Sequence, residues 1–202
     1  MSNCILLGKP NVGKTSFFLN FAEYLGMNSC ILEFTDFEGK KSVKKYSIKA
    51  AKSYLISSTA FKTKEVCKMK LSIPIYKGKT DIVLLDTGGL IDGINKDESI
   101  RISMAETLKH LYIANIIIHM IDASSIYKKQ TSTISEIDYQ INQYGNSKGA
   151  YCILANKIDL REGLEGLEFL KKEFKDTYII PTSALKQIGF KEVRKFVSRN
   201  IE

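Results

Sequence analysis

One stretch near the start of this 202-residue chain restricts the possible fold more than any other. Residues 8–15 read Gly-Lys-Pro-Asn-Val-Gly-Lys-Thr, which matches the phosphate-binding pattern G-x-x-x-x-G-K-[ST]. That pattern needs a strand before it and a helix after it, and the apolar run 4–7 and the amphipathic run 16–25 supply both. We therefore expect an α/β fold that holds a nucleoside phosphate at this phosphate loop.

The residue types in the phosphate loop suit a phosphate ligand. Glycines let the backbone wrap closely, so that successive N–H groups point inward, and the helix N-terminus adds partial positive charge. Lys14 is expected to reach the β- and γ-phosphates, and the Thr15 hydroxyl to ligate Mg²⁺. A chance match in a glycine-containing loop is the alternative, and the correct flanks argue against it. The residues expected to contact the nucleotide here are Gly8, Asn11, Val12, Gly13, Lys14, Thr15 and Ser16.

Apolar strand-like runs alternate with amphipathic helix-like runs along the rest of the chain. Strands are predicted at 3–8, 29–34, 66–76, 81–85, 114–121, 150–155 and 178–180, and helices at 14–26, 97–112, 132–144, 164–174 and 190–200. Residues 47–56 carry mixed signals and read as either a helix or a loop. Fully apolar strand interiors indicate a parallel sheet covered on both faces. We expect a P-loop NTPase fold, α/β, with three α/β/α layers, a mostly parallel six-stranded sheet and one antiparallel edge strand.

Composition excludes several other classes of protein. The apolar fraction of 44% and the charged fraction of 26% are ordinary for a globular chain, and no linker or repeat divides it, so a single domain over 1–202 is expected. No apolar run is long enough to cross a membrane, and no signal-peptide pattern begins the chain. The four scattered cysteines read as small core residues of a cytoplasmic protein. His119 lies inside an apolar run and reads as a core or strand-end histidine with its hydrogen bonds satisfied.

The positive charge is concentrated in one place. Residues 38–70, the basic segment, contain ten lysines and two glutamates, a net charge of 10 − 2 = +8, which equals the net charge of the whole chain. Such a segment is a candidate docking surface for RNA or the ribosome, although lysines are surface residues in any case. With only Tyr46, Tyr54 and Phe61, the segment lacks the interleaved aromatic residues of a base-stacking platform.

Residues 86–89 read Asp-Thr-Gly-Gly and follow the predicted strand 81–85. Asp86 at the carboxyl end of a buried strand faces the ligand crevice, where it can hold Mg²⁺ through a water. The Gly89 N–H can meet the γ-phosphate, and hydrolysis would remove that contact and release the following loop. If the stretch stood alone, an ordinary Asp–Gly turn after a strand would be the favoured interpretation.

Two further loops bear on which base is bound. Residues 156–159 read Asn-Lys-Ile-Asp, and the Asp159 carboxylate can accept hydrogen bonds from the ring N–H and the exocyclic amine of guanine. Asn156 is expected to tie this loop to the phosphate loop, and the Lys157 stem to pack on the base. After the last strand, next to Ser183, the backbone N–H of Ala184 is expected to meet the guanine carbonyl oxygen. Four such stretches in this order predict a guanine-nucleotide site.

These motifs resemble those of the translation-factor class of GTPases and, more narrowly, those of the TrmE–Era–EngA group. Residues 8–15 are similar to the group's G-x-P-N-V-G-K-[ST], and residues 86–90 to the D-T-G-G-[LI] of EngA-type domains. The resemblance covers roughly residues 3–200 and implies a G domain that binds GTP and GDP with Mg²⁺ and hydrolyses GTP. The second domains of Era and EngA have no counterpart in this sequence, so their specific functions are not carried over.

The resemblance also implies catalytic details. Leu90 stands where Ras-like proteins carry a water-orienting glutamine, and a leucine cannot orient water. Several members of the group use a bound K⁺ ion instead, with Asn11 at the matching ligand position; the alternative is that Asn11 only shapes the loop. The group places a threonine in switch I to complete the Mg²⁺ coordination. Thr59 and Thr63 are the nearest candidates, and Thr63 is preferred.

These assignments give a complete candidate site. Its catalytic residues are Lys14, Asn11 and Thr63, and its metal ligands are Thr15, Thr63 and Asp86. The extended switch I region is expected to cover residues 34–68. Its segment 34–64 is longer than the group leads us to expect, so either this segment is a family-specific insertion or switch I is atypical. Three functions fit: a GTP-hydrolysing switch that orders residues near 57–68 and 87–97, a nucleotide-dependent module that binds RNA or the ribosome, and a scaffolding GTPase that forms a GTP-dependent dimer across its nucleotide face.

Overall fold

Five parallel strands form the centre of the structure, a computed structural model that describes residues 1–36, 39–56, 66–93, 95–126 and 134–201. In their order across the sheet they are β5 (Gly78–Asp86), β1 (Ser2–Leu7), β6 (Ile116–Asp122), β7 (Tyr151–Asn156) and β8 (Ile179–Pro181). Their interiors are buried because helices cover both faces, which explains the continuous apolar runs in their sequences.

Three more strands extend the sheet beyond β5. β4 (Val66–Ile75) pairs antiparallel with β5 through a tight hairpin in which Ile75 faces Gly78, as the sequence predicts. β2 (Ser29–Thr35) pairs antiparallel with β4, and β3 (Lys41–Ser47) pairs antiparallel with β2 at the edge of the sheet. The antiparallel strand of the predicted hairpin is therefore an interior strand.

Within the described residues the sheet has eight strands, in the order β3-β2-β4-β5-β1-β6-β7-β8, so the prediction of six strands with one antiparallel edge strand was wrong. Seven of these strands coincide with the strand-like runs of the sequence, and β3 is the one that has no such run. All but one of its seven residues are exposed, so it has no alternating apolar face that a sequence pattern can reveal. Its backbone pairing with β2 holds it in place instead.

The helices are α1 (Lys14–Tyr24), α2 (Ile48–Leu55), α3 (Glu98–Ile113), α4 (Ala123–Ile126), α5 (Glu136–Lys148), α6 (Arg161–Glu173) and α7 (Phe190–Arg199). The mixed pattern over 47–56 is a helix, and the Ser47 hydroxyl caps it by accepting the Ala50 N–H. The predicted start of α5 at residue 132 lies outside the described residues. None of the helices in the described ranges combines the length and the apolar character that crossing a membrane requires.

Two hydrophobic clusters lie on opposite faces of the sheet. One joins α1, α2 and α7 through residues such as Phe17 and Phe190, and the other joins α3, α5 and α6 through residues such as Leu111 and Leu170. Successive β1 residues alternate between them, because side chains in a strand point to opposite faces. The three-layer α/β/α architecture is therefore confirmed, and all four cysteines lie buried, as expected of core residues.

Strand register places the polar ends of the parallel strands side by side. Leu6 at the end of β1 is level with Asp86 of β5, and Asp122 of β6 is level with Asn156 of β7. The loops that leave these strands therefore begin at one edge of the sheet, where open α/β folds bind their ligands.

Candidate nucleotide-binding site

The phosphate loop has a backbone that only glycine can adopt at two positions. Gly8 and Gly13 have φ values of 141° and 106°, and a Cβ atom would lie 2.2 Å from the Met120 carbonyl oxygen and 2.4 Å from Asn156 Nδ2, respectively. Asn11 is also left-handed, with φ 63°, and its side chain is exposed. The loop is thus tightly wrapped against the ends of β6 and β7, with Ser16 following it in the first turn of α1.

Lys14 lies inside this loop. Its Nζ atom donates hydrogen bonds to the carbonyl oxygens of Gly8 at 3.0 Å and Lys9 at 2.7 Å, and the residue is 6% exposed. Burial lowers the pKa of Lys14 to about 8, and the charge of Asp86 opposes that shift in part. A polyanion in the loop would favour the charged ammonium group.

Asp86 and Thr15 form a pair suited to a divalent cation. The Thr15 hydroxyl donates to Asp86 Oδ2 at 2.7 Å, whereas Asp86 Oδ1, also buried, has no hydrogen-bond partner among the described residues. Burial raises the pKa of Asp86 to about 6, against the hydrogen bond from Thr15 and the charge of Lys14. An oxygen-only donor set with one orphaned carboxylate oxygen fits Mg²⁺, which prefers oxygen ligands.

The residues after Asp86 pack against the phosphate loop. Gly89 approaches Pro10 so closely that a Cβ atom would lie 2.5 Å from the proline nitrogen, and the Leu90 N–H donates to the Gly8 carbonyl oxygen at 3.2 Å. The Leu90 side chain is buried in the cluster that contains Leu111. It therefore points into the core and presents no polar group to the crevice.

Asn156 joins three of the loops. Its Nδ2 atom donates to the Val12 carbonyl oxygen at 2.8 Å, and its Oδ1 atom accepts the Ala184 N–H at 2.8 Å. The sequence assigns that Ala184 N–H to the base, but here it is engaged by Asn156, so a guanine oxygen would have to share it. Ser183 is buried, and its hydroxyl accepts the Lys186 N–H within its own turn.

The predicted base-recognition loop is open to solvent at its carboxylate. Asp159 is exposed, and Lys157, with a left-handed φ of 68°, directs its Nζ atom to Asp122 Oδ2 at 2.6 Å. Sequence reasoning missed Asp122. The signal was present, because an acidic residue ends the apolar strand β6 just as Asp86 ends β5.

A buried polar network behind the phosphate loop was also missed. Asp138 Oδ2 lies 3.5 Å from Lys9 Nζ, and Asp138 Oδ1 lies 3.1 Å from His119 Nε2. The other ring nitrogen of His119 lies 3.0 Å from the Tyr151 hydroxyl, so this core histidine is hydrogen-bonded, as expected. No local motif signals these contacts, since they join residues from four separate elements.

The structure thus brings most of the predicted site residues to one edge of the sheet. Thr63 and Thr59, the candidates for switch I, lie outside the described residues. Between α1 and β4 the described residues form β2 and β3, which extend the sheet beyond β4, and α2, which follows β3.

Comparison with known proteins places the chain in a family. Residues 3–157 match the family model described as 50S ribosome-binding GTPase. The GTPase Obg of Lachnoclostridium phytofermentans is 33% identical over 136 residues, and that of Ureaplasma urealyticum is 32% identical over 153 residues. These alignments cover 63% and 69% of this chain, but only 31% and 34% of the relatives. The chain therefore spans about a third of the length of the relatives that it matches.

Solved structures agree on the fold. An Era protein of Aquifex aeolicus bound to GDP·AlF₄⁻ superposes with a TM-score of 0.64 at 23% identity, covering 99% of this chain and 56% of Era. The FeoB G-domain of Methanococcus jannaschii superposes with a TM-score of 0.56 at 19% identity, covering 99% of this chain and 98% of that domain. The family match confirms the class of GTPase that the motifs predict. The chain belongs to the family of 50S ribosome-binding GTPases.

Proposed function

We propose that this chain binds GTP and GDP together with Mg²⁺ and hydrolyses GTP to GDP and phosphate as a cytoplasmic, nucleotide-dependent switch. The observation that supports this best is a set of hydrogen bonds that draws the predicted loops to one edge of the sheet. The bonds run from Thr15 to Asp86, from Asn156 to Val12 and from Ala184 to Asn156. Because these loops all leave the carboxyl ends of strands in the parallel part of the sheet, one nucleotide can touch all of them.

In this proposal the phosphate loop binds the phosphates through its backbone N–H groups and Lys14. The Thr15 hydroxyl and the Asp86 carboxylate hold Mg²⁺, and Gly89 lies beside the loop where the γ-phosphate would be. Mg²⁺, when bound, supplies positive charge against the phosphoryl group during its transfer. Lys14 stabilises the same charge, because a buried ammonium group interacts strongly with an anion at close range.

The base is held by the loops at 156–159 and 182–184. The exposed Asp159 carboxylate is free to accept from the guanine edge, and Asn156 positions its loop through the bond to Val12. Lys157, anchored to Asp122, would lie against the base, and the turn of Ser183 and Ala184 closes the site.

Leu90 stands at the position of the water-orienting glutamine, but it is buried and has no polar group that could orient a water. Hydrolysis also needs positive charge at the transferring phosphoryl group, which an arginine finger supplies in other GTPases. We propose that a K⁺ ion held by Asn11 supplies it and that Thr63 completes the Mg²⁺ coordination. The exposed side chain of Asn11 on the outer turn of the phosphate loop supports the first of these roles.

A second candidate function is nucleotide-dependent binding of RNA or of the ribosome. The net charge of +8 in the basic segment favours it. An Era structure in complex with MgGDPNP and nucleotides 1506–1542 of 16S ribosomal RNA is among the similar structures, with a TM-score of 0.67 at 22% identity, covering 100% of this chain and 57% of Era.

The primary proposal is tested by displacing a fluorescent GDP analogue from the chain with GTP or ATP and by measuring phosphate release. We expect GTP to compete and ATP not to compete. Lys14→Gln should weaken GTP binding at least about a hundredfold, because it removes a buried charge from the phosphates. Lys191→Gln, at an exposed position on α7, is the matched control. Equal competition by ATP would rule out the guanine site.

A further inference from the structure

Part of the basic segment forms a lysine-rich unit at the edge of the sheet. Residues 39–56 form β3 and α2 and contain six lysines and no acidic residue. Five of the six lysines are exposed and the sixth, Lys52, is half-buried. We name this group the lysine surface: it consists of Lys40, Lys41, Lys44, Lys45, Lys49 and Lys52.

Most of the charge on the lysine surface is not neutralised. Two lysines have carboxylate partners, since Lys52 lies 2.6 Å from Glu23 and Lys41 lies 3.9 Å from Glu33. The side chains of Lys44, Lys45 and Lys49 form no ion pair within the described ranges. The surface therefore carries a local positive potential that would attract a polyanion.

Protection of the sheet edge explains only part of this charge. Lysines on an edge strand hinder pairing with another chain, which accounts for those on β3. Lys49, however, lies in the first turn of α2, and no acidic residue accompanies it there. The helix dipole disfavours a cation at that end, so Lys49 is unfavourable for the isolated protein and would become favourable beside an anion.

Two aromatic rings lie beside the lysine surface, one exposed and one half-buried. Tyr46 of β3 and Tyr54 of α2 are eight positions apart in sequence, and their rings stack with centroids 5.6 Å apart. Lys44 Nζ lies 5.9 Å from the centre of the Tyr54 ring, and Tyr54 is 53% exposed. The fold therefore assembles the aromatic platform that the spacing in the sequence does not predict.

We propose that the lysine surface binds single-stranded RNA, with Tyr54 stacking on a base and Lys44, Lys45 and Lys49 contacting phosphates. Proteins that bind single strands combine basic side chains along the backbone with aromatic rings under the bases. An unpaired strand is required because bases inside a duplex do not expose their faces. This inference rests on the second proposed function and names the surface and the mode of binding.

The test measures binding of the full chain to a fluorescent oligouridine of about 12 nucleotides by anisotropy at several salt concentrations. Tyr54→Ala should weaken binding about tenfold, whereas Tyr54→Phe, which keeps the ring, should not. Lys45→Gln combined with Lys49→Gln should reduce the slope of log affinity against log salt by about 0.7 for each lysine. Lys172→Gln combined with Lys175→Gln, at exposed positions near the end of α6, is the control.

The outcomes separate this inference from the proposed functions. The lysine surface is not a single-strand site if the wild type and Tyr54→Ala bind oligouridine with equal affinity. The same conclusion follows if the wild type binds a duplex RNA of the same length as tightly as oligouridine, or binds polyglutamate more tightly. If neither the wild type nor any variant binds oligouridine while all of them bind fluorescent GDP, the proposed RNA-binding function is wrong and the proposed nucleotide site is supported. Loss of GDP binding in every preparation would contradict the primary proposal instead.

Discussion

At the scale of single residues, Lys14 and Asp86 are held where their own charges are disfavoured. Burial lowers the pKa of Lys14 to about 8 and raises the pKa of Asp86 to about 6. A bound phosphate would favour the charged form of Lys14, and a bound divalent cation would favour the charged form of Asp86. The charged forms of both side chains are therefore disfavoured in the ligand-free site, and a nucleotide with a divalent cation would favour both.

Gly13 offers a test of the phosphate loop that separates backbone strain from steric conflict. Gly13→Ala should destabilise the chain by more than about 2 kcal/mol and abolish nucleotide binding, because its Cβ would collide with the Asn156 amide. Gly26→Ala has a similar φ of 88°, but nothing lies within 4 Å of its Cβ. It should cost only about 1 kcal/mol and leave nucleotide binding intact. Equal losses of stability in urea titrations would contradict the steric argument.

Asn11 tests the proposed role of potassium. Asn11→Gly keeps the left-handed φ of 63° accessible while removing the proposed K⁺ ligand. GTP turnover by the wild type should be faster in KCl than in NaCl, and the variant should turn over equally slowly in both. Equal rates for the wild type in the two salts would dismiss K⁺ and leave Asn11 as a residue that shapes the loop.

At the scale of elements, the N-terminus of α5 connects the phosphate loop to the centre of the sheet. Asp138 caps α5 by accepting the N–H and hydroxyl of Ser135, and it also contacts His119 of β6 and Lys9 of the phosphate loop. Burial alone would raise the pKa of Asp138, but the hydrogen bond and charge of His119 and the bonds from Ser135 lower it to about 2.

This depressed pKa predicts how stability depends on pH. Because Asp138 ionises more readily in the folded than in the unfolded chain, its stabilisation is complete well above pH 3.8 and is lost as the pH falls towards 2. Asp138→Asn should therefore lower the free energy of unfolding by about 2 kcal/mol at neutral pH. The difference should shrink below pH 3.8 in urea titrations.

Asp176→Asn, in the exposed turn after α6, is the matched control for this charge removal and should change stability little at any pH. A difference between wild type and Asp138→Asn that stays constant from neutral to acidic pH would show that packing, and not ionisation, explains the effect.

Elements with a buried apolar face could be predicted from the sequence, and the others could not. The apolar runs of β1, β6 and β7 predict their strands to within two residues at each end. β3 has no periodic sequence signal because its residues are almost all exposed, and α2 reads as helix or loop because only Ile48 and Ala51 are buried. Backbone pairing with β2 holds β3 in place, and the Ser47 cap begins α2, so the periodicity of apolar side chains reports neither element.

At the scale of the whole molecule, the eight-stranded sheet is what assembles the site. Motifs separated by about 70 residues or more meet because parallel strands deliver their loops to one edge, as the bond between Thr15 and Asp86 shows. The identity and order of the motifs could be predicted from the sequence. The partners that fix their positions, such as Asp122 for Lys157 and Asp138 for Lys9, could not, because no spacing rule links them.

If these loops enclose one guanine nucleotide, a single substitution in them should change which base the chain binds. Asp159→Asn removes the acceptor for the guanine amine and creates a partner for the second carbonyl of xanthine. Direct binding of fluorescent GDP and of fluorescent xanthosine diphosphate should show that the Asp159→Asn variant loses guanine binding and gains xanthine binding, whereas Asp176→Asn keeps the wild-type preference. An unchanged preference for GDP in the Asp159→Asn variant would show that these loops do not recognise guanine through Asp159.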